Sequence, residues 1–180
     1  ILKIKKTHPQ HWNRIKEKVS WQESEIDKWN QIATQIYFPR HPENDIFLQQ
    51  DDFLDKTIIP ASTIDKSERP INQHWSWDRI LRSPFIKQAD VLQGLYLFEE
   101  NFDYEFIKKH FDFYEPLTVH ESSLSACVHS ILASRLGRIE KAYSLYLRTS
   151  RLDLDDYNKE VEEGLHITSM AGTWMSLVQG

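Results

Sequence analysis

The chain is poor in the residues that staple or sharply bend a small fold. A single cysteine, Cys127, stands among 180 residues, which excludes an internal disulfide framework and a cysteine-based zinc knuckle. Only five residues are glycine, well below the usual share of about 7%, and a β-sandwich with many tight turns would need more. Basic residues number 22 against 27 acidic ones, a net charge of -5. With no basic excess to neutralise phosphates, nucleic acid is not predicted as a partner. No uninterrupted apolar run approaches the ~20 residues needed to cross a bilayer, so no membrane partner is predicted either. A Walker-type glycine loop and an HxxxH metal spacing are both missing, and no metal is expected. His120 and His129 lie too far apart in the chain to chelate from one helix face.

What is present describes a globular protein. Hydrophobic residues make up 40%, aromatics 12% and charged residues 27%, and a chain of this length buries roughly 70% of its unfolded surface. Seven prolines, at 9, 39, 42, 60, 70, 84 and 116, fall between periodic segments rather than inside them. Trp12, Ile15 and Val19 repeat at helical spacing after Pro9. Ser20-Trp21-Gln22-Glu23 reads as a capping box for a second helix, whose face carries Ile26, Trp29, Ala33, Ile36 and Tyr37. An irregular stretch follows to about residue 82. Pro84 then fits a first helical position, with Phe85, Ala89, Leu92, Leu95 and Tyr96 as the face. Further helices are predicted over 103–113, over about 122–136 with Gly137 as its left-handed cap, through Ile139, Ala142, Tyr143 and Tyr146, and from His166 onward. The pattern is all-α, with no fixed-period repeat of the solenoid kind.

Three constellations carry potential chemistry. Lys87-Gln88-Ala89-Asp90 follows Trp75 and Trp77, and its plain reading is a solvated charged face beside two core aromatics. Its functional reading is a sugar site, with ring faces packed on Trp and hydroxyls bound by Lys, Gln and Asp. His120-Glu121-Ser122-Ser123-Leu124-Ser125 contains an ordinary Ser cap for the next helix. Yet His, Glu and three hydroxyls at one helix start, with its free N–H groups and dipole, also make an anion site. His166-Ile167-Thr168-Ser169, with Gly172 one turn on, repeats that composition at a second helix start. Two such starts in one small domain point to one shared phosphate-sized ligand. Cys127 reads as an inert core thiol.

At this point the residues resemble a known family. The runs Trp75-Ser76-Trp77-Asp78-Arg79-Ile80-Leu81-Arg82-Ser83-Pro84-Phe85-Ile86-Lys87-Gln88-Ala89-Asp90, Tyr114-Glu115-Pro116-Leu117-Thr118-Val119-His120-Glu121-Ser122-Ser123-Leu124-Ser125 and Gly164-Leu165-His166-Ile167-Thr168-Ser169-Met170-Ala171-Gly172-Thr173-Trp174 are similar to the maltose phosphorylase branch of glycoside hydrolase family 65. The resemblance covers most of the chain from about residue 45. It implies an (α/α)6 barrel, of which residues 1–180 would be the C-terminal portion. It implies an inverting enzyme that cleaves an α-glucosidic disaccharide, maltose first, with inorganic phosphate as co-substrate and no cofactor, giving glucose and β-glucose 1-phosphate. It also implies a cytoplasmic parent that forms a homodimer. Substrate binding falls on Lys87, Gln88 and Glu121. Phosphate binding falls on Ser122, Ser123, Ser125, His166, Thr168, Ser169 and Gly172.

An inverting hydrolase needs a general acid and a general base, whereas phosphate is already a nucleophile, so an anion cradle replaces the base. The family's general acid is a Glu in a Gly-Pro-Asp-Glu-Tyr-type motif, which these residues do not contain; it is expected upstream of Ile1. The chain opens on Ile1 and closes on Gly180 within a helix-like stretch, so both ends read as cut. As a piece it is expected to be inactive alone and to leave Trp12, Trp29, Trp174 and the Tyr143/Tyr146 face uncovered. The alternative reading is a non-catalytic α-helical carbohydrate-binding or interaction module.

Overall fold

A computed structural model describes residues 1–180. The fold is all-α, with ten α-helices, several 3₁₀ turns and no sheet. The chain divides into two compact units, Ile1–Phe38 and Pro39–Gly180.

The first unit holds α1 (Leu2–Thr7), α2 (Pro9–Lys18) and α3 (Ser24–Gln35). Pro9 opens α2, where its missing N–H costs nothing. Trp12 meets Trp21 edge-on at 5.2 Å between ring centroids, and Trp21 meets Trp29 at 5.3 Å. Trp12 is therefore buried, contrary to expectation, while Trp29 is exposed as predicted. The capping box does not form. Ser20 sits at φ 50, turned away from the helix it would cap, and α3 starts at Ser24 with no side-chain cap. Glu23 instead pairs with Lys5 at 2.8 Å.

The second unit begins with the irregular segment and two short helices, α4 (Ile71–His74) and α5 (Trp77–Arg82). Five longer helices follow: α6 (Asp90–Leu97), α7 (Tyr104–Tyr114), α8 (Ser125–Arg135), α9 (Ile139–Ser150) and α10 (Ile167–Gln179). The irregular segment is tied down by a buried histidine. His110 donates from Nδ1 to the Phe106 carbonyl at 2.7 Å and accepts the Phe47 N–H on Nε2 at 2.8 Å. Tyr114 adds a hydroxyl bond to the Phe47 carbonyl at 2.7 Å. Phe53, Leu92, Phe111 and Leu132 form the core beneath it.

Pro84 opens no helix. The Ile86 N–H donates to Leu117 at 2.9 Å and its carbonyl accepts from Val119 at 3.0 Å. Both backbone groups of Ile86 are thus taken by another segment, and the helical ladder begins only at Asp90. The helix expected from Ser122 likewise starts at Ser125. Its other end is as predicted. Gly137 takes φ 71, its N–H reaches Ser134 at 2.9 Å and the Arg138 N–H reaches Ala133 at 2.8 Å, which is a Schellman cap. On α9 the packed stripe is Ala142, Leu145 and Thr149. The Tyr143/Tyr146 face lies one position round, with Tyr143 exposed as expected and Tyr146 half-buried.

Helices α8 and α10 touch where Gly172 faces Cys127, and the two run parallel, since Arg135 near the end of α8 bonds Gln179 near the end of α10 at 3.1 Å. Helix α9 runs back against both, Ser130 bonding the Ala142 carbonyl at 2.8 Å and Ser169 bonding the Thr149 carbonyl at 2.8 Å. The starts of α8 and α10 therefore lie at the same end of the bundle, offset by about one helical turn.

Candidate functional site

The extended segment before α6 sets the sugar-binding candidates. Because Ile86 is paired with residues 117–119, Lys87 and Gln88 emerge beside the loop that carries His120 to Ser123. They line a cavity of about 240 Å³ together with Gln49, Lys56, Trp77 and Asp90. Lys87 Nζ stands 5.7 Å from the Trp77 ring centroid, and Trp77 is exposed, so one aromatic face is available at the rim. Trp75 is not. Its indole N–H donates to Glu68 at 3.1 Å and Arg79 stacks on it at 3.6 Å. Burial pushes the Asp90 carboxyl upward, and Gln49 donates to it at 3.3 Å.

Glu121 is buried and doubly held. Its Oε1 accepts from Arg69 Nε and its Oε2 from the Ile71 N–H, both at 2.7 Å. Arg69 also donates to the Val119 carbonyl at 2.5 Å. Glu121 therefore anchors the loop, each oxygen accepting one bond from the Arg69–Ile71 segment. Sequence reasoning passed over Arg69, because a partner 52 positions away leaves no local pattern.

The phosphate candidates divide into two groups. Ser125 is fully buried, with its hydroxyl near His120 Nδ1 and the Ser122 carbonyl, each at 3.4 Å. Ser169 of α10 is buried against α9, and Gly172 allows α8 and α10 to approach, since a Cβ there would lie 2.7 Å from Cys127 Cβ. Ser125 thus packs against its own preceding loop, Ser169 ties α10 to α9, and Gly172 lets α10 approach α8. The rest reach the surface of the site: Ser123 and His166 are half-buried and Thr168 is exposed, with Ser122 just beneath, its hydroxyl accepting the Leu124 N–H at 3.2 Å. Two hydrogen bonds and a longer charge contact lead from one motif toward the other. Glu121 holds the Ile71 N–H, Asn72 donates to Glu160 at 3.3 Å, and Glu160 Oε2 lies 3.7 Å from His166 Nε2.

A polar cluster lies behind the 118–122 loop, and sequence spacing had separated its members. The His120 and His129 rings meet edge-on at 4.6 Å, brought together because His120 lies in the loop and not on α8. Glu115 completes a set of donor atoms within 4.8 Å of one another. Lys141 Nζ already sits 2.9 Å from Glu115 Oε1, so the carboxylate has its cation. Burial alone would raise the Glu115 carboxyl; the nearby His120 ring and the Lys141 ammonium outweigh it and hold the group at about 2. Burial holds His129 well below the usual histidine value and lowers His120 as well. Glu115, His120 and Lys141 also face a cavity of about 600 Å³ with Arg69, Arg148 and Tyr157.

These features give an all-α unit with one exposed aromatic rim beside Lys87 and two hydroxyl-rich helix starts at the same end of its bundle. The model of the glycosyl hydrolase family 65 central catalytic domain matches residues 1–175, and the chain belongs to that family. The helical pairs of the second unit are accordingly part of an (α/α)6 barrel. The chain is 56% identical over 159 residues to maltose phosphorylase of Bacillus subtilis, covering 88% of this chain and 21% of that protein. It is 42% identical to α,α-trehalose phosphorylase of Thermoanaerobacter brockii, over 99% of this chain and 23% of that one. A solved structure described as a candidate kojibiose phosphorylase from human microbiome superposes with a TM-score of 0.82 at 39% identity, covering 93% of this chain and 22% of that one. The chain thus spans about a fifth of the length of these relatives. No helix is long and apolar enough to cross a membrane.

Proposed function

We propose that the chain is the C-terminal portion of the catalytic barrel of an inverting disaccharide phosphorylase, and that it supplies the sugar and phosphate contacts of that reaction. The observation that carries this reading is the pairing of Ile86 with residues 117–119, which sets Lys87 and Gln88 beside the serine loop. Higher identity to a maltose phosphorylase than to a trehalose phosphorylase favours maltose as the substrate.

In this reading Trp77 packs a sugar face while Lys87 and Gln88 bind hydroxyls. Ser122, Ser123 and Thr168 donate to inorganic phosphate and His166 hydrogen-bonds it through Nε2, with Ser125 packed against the loop before α8 and Ser169 and Gly172 seating α10 on its neighbours. Phosphate oxygen forms the bond to the anomeric carbon as the glycosidic bond breaks on the opposite face, so the configuration inverts and β-glucose 1-phosphate results. The leaving oxygen takes its proton from a carboxylic acid contributed by a segment upstream of Ile1, and glucose departs. Phosphate is the only co-substrate, no cofactor is required, and the parent is a cytoplasmic homodimer. The residues 1–180 alone, without the acid, would be inactive, since loss of a general acid removes about 10²–10⁴-fold in rate.

The test is steady-state kinetics of the full-length parent. Replacing Lys87 with Ala should raise the Michaelis constant for maltose and leave that for phosphate nearly unchanged, and His166→Ala should do the reverse. Hydrogen bonds to charged groups contribute about 1.5–3 kcal/mol, so each shift should be about tenfold or more. Unchanged constants in both variants would sink the reading.

A further inference from the structure

The turn after α9 grips the start of α10 through a single carboxylate. Asp153 Oδ1 lies 2.6 Å from His166 Nδ1, and Asp153 Oδ2 accepts the His166 backbone N–H at 2.8 Å. Both side chains are largely shielded, at 22% exposure for His166 and 12% for Asp153. The two contacts fix different things. The backbone bond sets where the helix starts, because His166 is the N-cap and makes no cap of its own. The ring bond sets which imidazole nitrogen remains for a ligand. A carboxylate accepts only, so Nδ1 must carry the proton facing it. Nε2 makes no hydrogen bond, and the nearest carboxylate on that side, Glu160, stands at 3.7 Å, beyond bonding distance.

We infer that Asp153 is a positioning residue for phosphate: it holds the His166 ring so that Nε2 is the nitrogen presented to the anion, donating to a phosphate oxygen when the ring carries both protons and accepting from a phosphate O–H when it carries only the Nδ1 proton. The inference rests on the proposed role of His166. At metal sites, removing a carboxylate that orients a ligating imidazole through its other nitrogen typically costs 10–100-fold, and the same loss of ring orientation would act here toward an anion. Burial alone would raise the Asp153 carboxyl, but the bonds from His166 outweigh it and hold the group below its ordinary value, as an acceptor in this place requires.

The experiment uses the full-length enzyme carrying Asp153→Asn, His166→Ala and both together. Asp153→Asn should raise the Michaelis constant for phosphate about tenfold and that for the disaccharide less than twofold, because the amide can donate to Nδ1 and release the ring. The double variant should match His166→Ala in phosphate affinity, since Asp153 acts through that ring. Asp153→Glu, which keeps an acceptor, should recover part of the loss. In wild type the Nδ1 proton should give a slowly exchanging downfield imidazole resonance, lost in Asp153→Asn. If His166→Ala raises the phosphate constant and Asp153→Asn does not, or if Asp153→Asn weakens both substrates equally, the positioning role is overturned and the site reading stands. If His166→Ala itself leaves the phosphate constant unchanged, the site reading has failed instead.

Discussion

Helices α8 and α10 look alike in sequence, each opening on a Ser/His-rich motif and continuing apolar, yet they occupy opposite situations. Every residue of α8 from Ser125 to Ala133 is buried. On α10 only Ser169, Gly172 and Ser176 are buried, while Ile167, Met170, Trp174 and Leu177 are exposed. The small residues of α10 face its neighbours and the large ones face out. Close helix approach needs small side chains at the contact, and Gly172 against Cys127 is the extreme case. The buried face of a helix is therefore not always its most hydrophobic face. Under the proposed function, the bare stripe of α10 is covered by the rest of the barrel.

The contrast can be broken most forcefully in the core. Leu132, fully buried on α8, should lose about 3 kcal/mol of stability when truncated to Ala, through lost transfer energy and the cavity left behind. Chemical denaturation at constant slope would measure it. A loss below about 1 kcal/mol would mean that α8 is less enclosed than described.

Acid should strike the surroundings of α8 most, while in α10, whose residues 167–179 include no titratable group, it can act only through the Asp153 grip on the N-cap. Glu115 has a folded-state value of about 2 against an ordinary 4.5. A lowered carboxyl contributes stability above the unfolded value that is lost as pH falls through the folded one. That contribution is at most about 3 kcal/mol, lost between about pH 4.5 and 2. The buried histidines act at higher pH. His129 and His120 are held neutral by burial, so the unfolded chain binds protons first and stability declines as pH drops below about 6.5. Denaturation profiles from pH 7 to 3 should show both phases, and Lys141→Met should flatten the lower one. A stability that stays level from pH 7 to 4 would count against the buried cluster.

At the contact between the two helices, Gly172→Ala should destabilise by about 2 kcal/mol. Mid-helix Ala is worth up to about 1 kcal/mol over Gly, but the new Cβ meets Cys127 Cβ at 2.7 Å. That atom is fixed to the α8 backbone and has no rotamer escape, so overpacking wins. A stabilised variant would show that the helices can part at little cost. The smallest effect belongs to Leu177→Ser on the bare face of α10, where a shift within about 0.5 kcal/mol is expected in these residues. The same substitution in the full-length parent should cost several times more if that face is covered there, and an equal effect in both would show that it is not.

Much of this architecture was legible in the residues, and the exceptions share a cause. Periodicity placed α7, α9 and the body of α8, and Gly137 marked its own cap. The capping box failed because Ser20 lies in a left-handed turn, which no spacing rule reveals. The start of α6 failed because Ile86 gives its backbone bonds to residues 117–119. The Trp75/Trp77 platform halved when Arg79 stacked on Trp75.

The sequence by itself determined the helical class, the family resemblance and which residue types gather at two helix starts, because these depend on local periodicity and on ordered motifs. Only the tertiary structure decided which of those residues are buried or already hydrogen-bonded and which reach the surface. Ser125, Ser169 and Gly172 turn inward, Glu121 is held by Arg69, and Asp153 takes hold of His166 from 13 positions away. A side chain's chemistry is written in its own residue. Its availability depends on which distant backbone and side-chain groups already satisfy it, and only folding brings those groups within the ~3 Å that a hydrogen bond requires.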